Sequence, residues 1–119
     1  MKAKREIIFY KFYFQDFFLE QNSKVREKIA FVFRVINSVQ NIPTKFFKHL
    51  EGTDGLYEIR IEFESNIYRI FCCFDKGNLV VLFNAFQKKT QKTPKNEIEL
   101  ATKLKNEYFN LKNTENGKR

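Results

Sequence analysis

The sequence is poor in several residues on which whole classes of protein depend. Its 119 residues include no tryptophan, two prolines, four glycines and a single histidine. Scarce proline and glycine argue against linkers, and one histidine provides no His pair for a metal or nucleophilic site. No apolar run approaches the roughly 20 residues that a membrane helix needs, and no signal-peptide cleavage site follows the N-terminal segment. We therefore expect a cytoplasmic domain without a membrane segment, bound metal or small-molecule cofactor.

The sequence has only two cysteines, and they are adjacent. Cys72 and Cys73 lie in a strand-like segment. Neighbouring side chains on a strand point to opposite faces, so a disulfide between these two would be strained. We predict reduced, buried thiols in a cytosolic protein. No histidine is expected near Cys73 to activate it, which argues against Cys-His catalysis.

Phenylalanine and positive charge, by contrast, are abundant. The chain has 15 Phe and 5 Tyr, and 22 Lys and Arg against 14 Asp and Glu give a net charge of +8. A disordered chain would lack these aromatic residues. The composition therefore indicates a basic globular domain, and the charge favours an anionic partner.

The hydrophobic pattern predicts an α+β fold with a four-stranded antiparallel sheet. β-branched and aromatic residues indicate an N-terminal strand at 6–13, and alternating residues indicate a three-stranded meander between 57 and 88. Glu64 and Ser65 are expected to form one hairpin turn, and Lys76 and Gly77 the next.

Helical spacing predicts the remaining elements. Apolar residues recur three or four apart between 23 and 40, with Ser23 as N-cap, and a short helical turn is expected at 44–50. A C-terminal helix is expected after Thr93 as N-cap and Pro94 as first helical residue. We expect two or three helices on one sheet face and a C-terminal helix, in a single domain over 1–111. The tail at 112–119 has no apolar residue and is expected to be disordered.

The predicted hairpin turns fix which residues lie opposite each other. Arg60 falls opposite Arg69, and Arg69 falls opposite Asn84. Opposite residues share a sheet face. One face would then carry no charge and lie under the helices. The other would carry the charged residues together with Asn84 and two phenylalanines: Glu58, Arg60, Glu62, Arg69, Phe71, Asn84, Phe86 and Lys88.

Two opposed arginines repel each other unless an anion relieves them, and this leaves two interpretations. Glu58 and Glu62 lie diagonal to Arg69 and would form a solvated charge network with it. Alternatively, the guanidinium groups of Arg60 and Arg69 would bind a phosphate, because a guanidinium can donate two parallel hydrogen bonds to two phosphate oxygens.

A basic segment after the last strand favours the phosphate interpretation. Residues 88–95 read KKTQKTPK, with no acid and with Lys88, Lys89, Lys92 and Lys95. They lead into a helix N-terminus, where backbone N–H groups favour anions. Phe71 and Phe86, on the same predicted face, would stack on bases. Unpaired bases are available in RNA more than in duplex DNA, so RNA is the favoured partner.

The segment from 48 to 108 resembles the RelE/ParE toxin superfamily, in its HigB-like, phage-derived Gp49-like branch. The matching stretches are KHLEGTDGLYEIRIEF, NIYRIFCCFDKGNLVVLFNAFQKKTQKTPKNEIELA and KLKNEY. The resemblance implies a RelE-like fold and the toxin of a type II toxin–antitoxin system. Such toxins commonly act as mRNA endoribonucleases, often on translating ribosomes. They are neutralised by an antitoxin that usually carries a helix-turn-helix domain.

The resemblance also implies roles for individual residues. The family's motif arginines fall on Arg60 and Arg69, and its paired lysines fall on Lys88 and Lys89 after Phe86. The lysine before its Thr-Pro pair falls on Lys92. The hypothesis is that Arg60, Arg69 and Lys88 are catalytic. The RNA-binding residues would be Lys89, Lys92, Lys95, Phe71, Asn84 and Phe86.

One position departs from the family pattern, and the superfamily splits in activity. Many relatives have a histidine two residues before the phenylalanine, where this chain has Asn84, and asparagine cannot act as a general base. ParE-like members share the fold but inhibit DNA gyrase, and a shared fold does not decide between the activities. The alternatives are therefore a gyrase-inhibiting toxin or a non-catalytic basic RNA-binding module.

Overall fold

The chain folds into a five-stranded mixed sheet with helices on both faces. The computed structural model describes residues 4–117, and of these the side chains up to residue 114. The strand order is β1-β5-β4-β3-β2. The elements are β1 (Glu6–Phe9), α1 (Tyr13–Glu20), α2 (Ser23–Ser38), β2 (Phe47–His49), β3 (Tyr57–Phe63), β4 (Asn66–Asp75), β5 (Leu79–Lys88) and α3 (Lys95–Gly117). The α+β class is confirmed, whereas the four-stranded antiparallel sheet is wrong in two respects.

The first correction is a fifth strand, β2, in the segment predicted to be a helical turn. Phe47 pairs with Ile59 and His49 with Tyr57 along the free edge of β3. The Phe47 ring is buried and stacks on Tyr57 at a centroid distance of 5.2 Å. A strand of three residues is too short to show alternation in the sequence, so pairing with β3 decides its conformation.

The second correction concerns β1, which is parallel to its neighbour. Glu6 pairs with Leu79 and Phe9 with Leu82, so the N-terminal strand lies at the sheet edge beside β5. It is shorter than predicted because Lys11 adopts a left-handed backbone conformation, with φ of 61°, and α1 begins at Tyr13.

Helices α1 and α2 pack on one face of the sheet. Helix α2 is capped by Asn22, whose side chain accepts a hydrogen bond from the Val25 amide, so the predicted cap Ser23 is one residue too late. At the other end of α2, the Arg5 guanidinium donates to three backbone carbonyls, as a cation at a helix C-terminus does. The core on this face includes Phe14, Phe17, Ile29, Val32, Ile36, Ile59, Ile70 and Leu82.

Helix α3 packs on the opposite face, where the sequence predicted a solvated surface. Its buried residues Ala101 and Leu104 contact a second core that contains Leu56, Phe71, Cys73, Val81, Phe83 and Phe86. The two cysteines thus point to opposite faces, as predicted, and both are free and buried. Both faces of β4 and β5 are covered over most of their length, whereas on the α3 face of β3 Arg60 is partly exposed and Glu62 is exposed.

Helix α3 continues beyond the predicted domain end at residue 111. The predicted disordered tail is helical as far as Gly117, and residues 118–119 lie outside the described residues. Lys112 pairs with the Asp75 carboxylate at 2.5 Å, which fastens this part of the helix to the end of β4. Within the described residues, no helix is long and apolar enough to cross a membrane.

Candidate nucleic-acid interface

The hairpin between β3 and β4 brings two arginines together. Glu64 and Ser65 form its turn with φ of 49° and 70°, as a two-residue hairpin of the primed type requires. Arg60 therefore lies directly opposite Arg69, as the sequence predicted.

A single carboxylate lies between the two guanidinium groups. Glu58 Oε1 is 3.3 Å from Arg60 Nε and 3.6 Å from Arg69 Nε. Burial lowers the pKa of Arg69, Glu58 opposes this shift, and the charge of Arg60 adds to it. Glu58 is itself buried, whereas Glu62 is exposed. The predicted charge network is therefore present in part: Glu58 is its anion and is buried instead of solvated, and among the described residues Glu62 forms no ion pair.

The two arginines differ in their access to solvent. The Arg60 side chain is 29% exposed and that of Arg69 is 5% exposed. Arg60 Nη1 donates to the Thr44 carbonyl at 3.4 Å, and Arg69 Nη1 donates to the Tyr68 carbonyl at 3.2 Å. Arg60 can therefore meet a ligand, whereas Arg69 supports it from beneath the surface.

The register between β4 and β5 differs from the prediction. The loop has three residues instead of two, so Asp75 pairs with Leu79. A bulge in β5 then adds one residue opposite Phe71, and the pairing moves from Cys72–Leu82 to Ile70–Ala85. As a result, Arg69 lies opposite Phe86 and not opposite Asn84.

This register buries three residues that were predicted to contact RNA. Asn84 is 2% exposed, and its Nδ2 donates to the Glu97 carbonyl at 3.0 Å and to Glu97 Oε1 at 2.9 Å. Phe71 is fully buried and Phe86 is 8% exposed, and their rings meet edge to face at 5.3 Å. These rings pack in the core under α3, so the structure does not present Phe71 or Phe86 as the accessible stacking surface that was predicted. Asn84 instead attaches the first turn of α3 to the sheet.

The predicted lysines surround the exposed end of this sheet face. Lys88 is half-buried at the end of β5, opposite Ile67. It is two residues beyond Phe86, so it occupies the row next to the Arg60–Arg69 pair on the same face. Lys89, Lys92 and Lys95 are exposed in the loop before α3 and at its first residue. The structure thus brings Lys88 near the arginine pair and leaves the other three on an adjoining basic loop.

Sequence reasoning missed one neighbour of Arg60. The backbone N–H of Arg60 donates to the Phe46 carbonyl at 2.8 Å, so the segment before β2 lies beside the exposed arginine. The only sequence signal for this contact would have been β2 itself, which was predicted to be helical. A partly exposed guanidinium with a lysine in the next row and a basic loop beyond it can bind phosphate oxygens and stabilise negative charge that develops on them.

One comparison with known proteins gives a match. The family model described as phage derived protein Gp49-like (DUF891) matches residues 16–106. These residues include every residue of the candidate interface, from Arg60 to Lys95. A comparison with curated proteins gives no match.

Proposed function

The chain belongs to the Gp49-like family of phage-derived proteins, and on this premise we propose that it cuts mRNA. The Gp49-like family is a RelE/HigB-type toxin family, so a cognate antitoxin is implied. In our proposal the protein is the endoribonuclease toxin of a type II system and acts on mRNA at the ribosome. Its antitoxin carries a helix-turn-helix domain. The observation that carries the proposal is the partly exposed Arg60, which pairs with Glu58 on the sheet face where Lys88 leads into an acid-free run of lysines.

The proposed chemistry uses the RNA as its own nucleophile. The 2′-OH attacks the neighbouring phosphorus and loses its proton to solvent, and the bond to the 5′ oxygen breaks. This leaves a 2′,3′-cyclic phosphate and a free 5′-OH. Arg60 stabilises the negative charge on the phosphoryl oxygens, and Lys88 donates a proton to the departing 5′ oxygen.

The remaining basic residues have supporting roles in this proposal. Arg69 is a positioning residue, because its buried guanidinium shares Glu58 with Arg60 and fixes that carboxylate. Lys89, Lys92 and Lys95 bind the RNA backbone as point charges. The histidine of many relatives has no counterpart at Asn84, whose amide is occupied by Glu97.

The test is inducible expression of the wild type, Arg60→Ala and the control Lys76→Ala. Lys76 is an exposed lysine in the β4–β5 turn, at the other end of the sheet. For the wild type and Lys76→Ala we expect growth arrest, measured by growth curves, and new mRNA 5′ ends, mapped by primer extension. Arg60→Ala should fold and bind the antitoxin but lose both effects, with cleavage reduced about 100-fold or more.

Two outcomes would contradict the proposal. Arrest with intact mRNA and inhibited DNA supercoiling would establish the gyrase-inhibiting alternative. Equal cleavage by Arg60→Ala and the wild type would remove Arg60 from the chemistry. Arg69→Ala is a less direct test, because the Arg69 side chain is only 5% exposed and its truncation removes buried packing as well as a partner of Glu58.

A further inference from the structure

A second surface of lysines and phenylalanines adjoins Arg60 at the β2 edge of the sheet. We define the Lys-Phe patch as Lys28 and Phe31 of α2 with Lys45 and Phe46 of the segment before β2. The two rings meet edge to face at a centroid distance of 6.0 Å. Lys28 Nζ lies 5.4 Å from the Phe31 centroid and 5.9 Å from that of Phe46, and Lys45 Nζ lies 5.0 Å from the latter. Two cations thus flank a pair of aromatic rings.

The rings and the cations of this patch are available to a ligand. Phe31 is 43% exposed and Phe46 is half-buried. Among the described residues, neither Lys28 nor Lys45 forms an ion pair with a carboxylate. The helix surface around Phe31 is basic, because Lys24 and Arg34 lie on the same stripe and Glu27 is its one acid.

The patch is continuous with the candidate interface. The Phe46 carbonyl accepts the Arg60 amide at 2.8 Å, and the Thr44 carbonyl accepts the Arg60 guanidinium at 3.4 Å. Lys45 lies between these two acceptors in the chain. Arg60 lies on the α3 face of the sheet and α2 packs on the other face, so residues 44–46 join the partly exposed arginine to the Lys-Phe patch around the β2 edge.

We propose that the Lys-Phe patch is a binding site for single-stranded RNA that extends the cleavage site. One base stacks on Phe31, and Lys28 and Lys45 bind the flanking phosphates. The inference rests on the proposed function, because RNA is the ligand of the adjoining Arg60. It also supplies the aromatic stacking surface that the buried Phe71 and Phe86 do not provide.

The position of the patch sets the path of the bound strand. Lys88 is on β5 and Phe46 precedes β2, so the path crosses at least three inter-strand spacings, about 14 Å, on the face that carries Arg60. It then turns around the β2 edge to reach the Lys-Phe patch on the α2 side. Oligonucleotides too short to span this distance should gain nothing from the patch.

The test measures binding of a fluorescent single-stranded oligonucleotide of about 12 nucleotides, fully 2′-O-methylated. Its blocked 2′ oxygens prevent cleavage, so binding is measured apart from chemistry. We expect Phe31→Ala to weaken binding about tenfold. The Lys28→Gln/Lys45→Gln variant should lower the slope of log affinity against log salt by about 1.4, which is 0.7 for each lost phosphate contact.

Matched controls separate the patch from general effects. Phe12→Ala removes a phenylalanine that is 72% exposed beside β1, at the other edge of the sheet, and Lys76→Gln removes an exposed charge. Neither control should change affinity by more than about twofold. If Phe31→Ala binds like Phe12→Ala, or if the lysine variant retains the wild-type salt slope, the proposal is overturned. If Phe31→Ala binds RNA normally but no longer binds the antitoxin, the patch is a protein interface and the proposal also fails.

The outcome is distinguishable from that of the proposed function. A wild type that binds the methylated strand through Phe31 but leaves unmodified RNA intact would support the patch and refute the nuclease. An Arg60-dependent cleavage that Phe31→Ala does not alter, together with unchanged binding, would support the nuclease and refute the patch.

Discussion

Arg60 and Arg69 oppose each other directly across β3 and β4, yet only Arg60 reaches solvent. The Glu58 carboxylate is close to the Nε atoms of both, so three charges share one small volume with a net charge of +1. Among the described residues, Glu58 is the carboxylate in ion-pair contact with both arginines, and Glu62 acts on Arg69 as a further negative charge. The stability of the sheet and the presentation of Arg60 therefore depend on the same carboxylate.

The first prediction is that Glu58→Gln destabilises the fold. It removes the anion from two opposed cations, one of them buried, and should lower the free energy of unfolding by about 2–4 kcal/mol. Urea denaturation followed by circular dichroism measures this change. Glu62→Gln is the matched control on the same strand, and because Glu62 is exposed it should stay within about 0.5 kcal/mol of the wild type. Equal effects of the two variants would show that Glu58 does not hold the arginines.

The second prediction concerns Asn84 and the start of α3. Asn84→Ala removes both hydrogen bonds to Glu97 and should lower the free energy of unfolding by about 1–3 kcal/mol. Amide hydrogen exchange should accelerate in the first turns of α3. Asn106→Ala, at an exposed position of the same helix, should leave that exchange unchanged. Unchanged exchange in Asn84→Ala would mean that Asn84 does not anchor the helix.

The third prediction is a loss of stability in acid that depends on Asp75. Burial raises the pKa of this carboxyl, but hydrogen bonds from Lys112, Tyr108 and the Lys76 amide outweigh that effect and lower it. A lowered folded-state pKa stabilises the fold above the unfolded pKa of about 3.9, and this contribution is lost as pH falls through the folded-state value.

At pH 6 the Asp75→Asn variant should therefore have a lower free energy of unfolding than the wild type, because it lacks the stabilising carboxylate. The difference in free energy of unfolding between the two proteins should shrink as pH drops below about 4. Denaturation curves at a series of pH values measure it, with Asp54→Asn in an exposed loop as the control. A difference that stays constant down to the lowest pH would contradict the lowered pKa of Asp75.

The fourth prediction is that both thiols are unreactive in the native protein. Burial raises the pKa of Cys73 to about 12, and that of Cys72 is also raised by burial. The thiolate is the reactive form, so almost none is present at pH 8. A chromogenic disulfide reagent should titrate no thiol in the native state and two in guanidinium chloride. Rapid reaction of one native thiol would indicate that its side of the sheet opens.

The local sequence was enough to predict the β3–β4 hairpin, but it was not enough to predict the register of the β4–β5 hairpin. Glu64 and Ser65 were recognisable as a two-residue turn, so the Arg60–Arg69 pair followed from the sequence. The next hairpin has a three-residue loop and a bulge, each of which moves the register by one residue. Neither is visible in an apolar run such as LVVLFNAF, because both faces of β5 are buried there.

The partners of β1 and β2 were also beyond local reasoning. A parallel pair such as β1 and β5 joins segments that are distant in the chain, and no turn between them fixes its register. The candidate site was affected in the same way: the arginines and lysines were found as residue types, whereas the burial of Asn84, Phe71 and Phe86 depends on where α3 packs.

The parallel pairing of β1 with β5 also has a consequence for synthesis. Glu6 pairs with Leu79, so 79 − 6 = 73 residues separate the partners. At a ribosomal rate of about 5–20 residues per second, the interval between the synthesis of β1 and that of its partner strand is about 4–15 seconds. During that interval the first strand and its adjoining phenylalanines have no sheet to join. In each newly made molecule the β3–β4 hairpin with its two arginines is therefore synthesised before β5, and β1 can join the sheet only after β5 has been made.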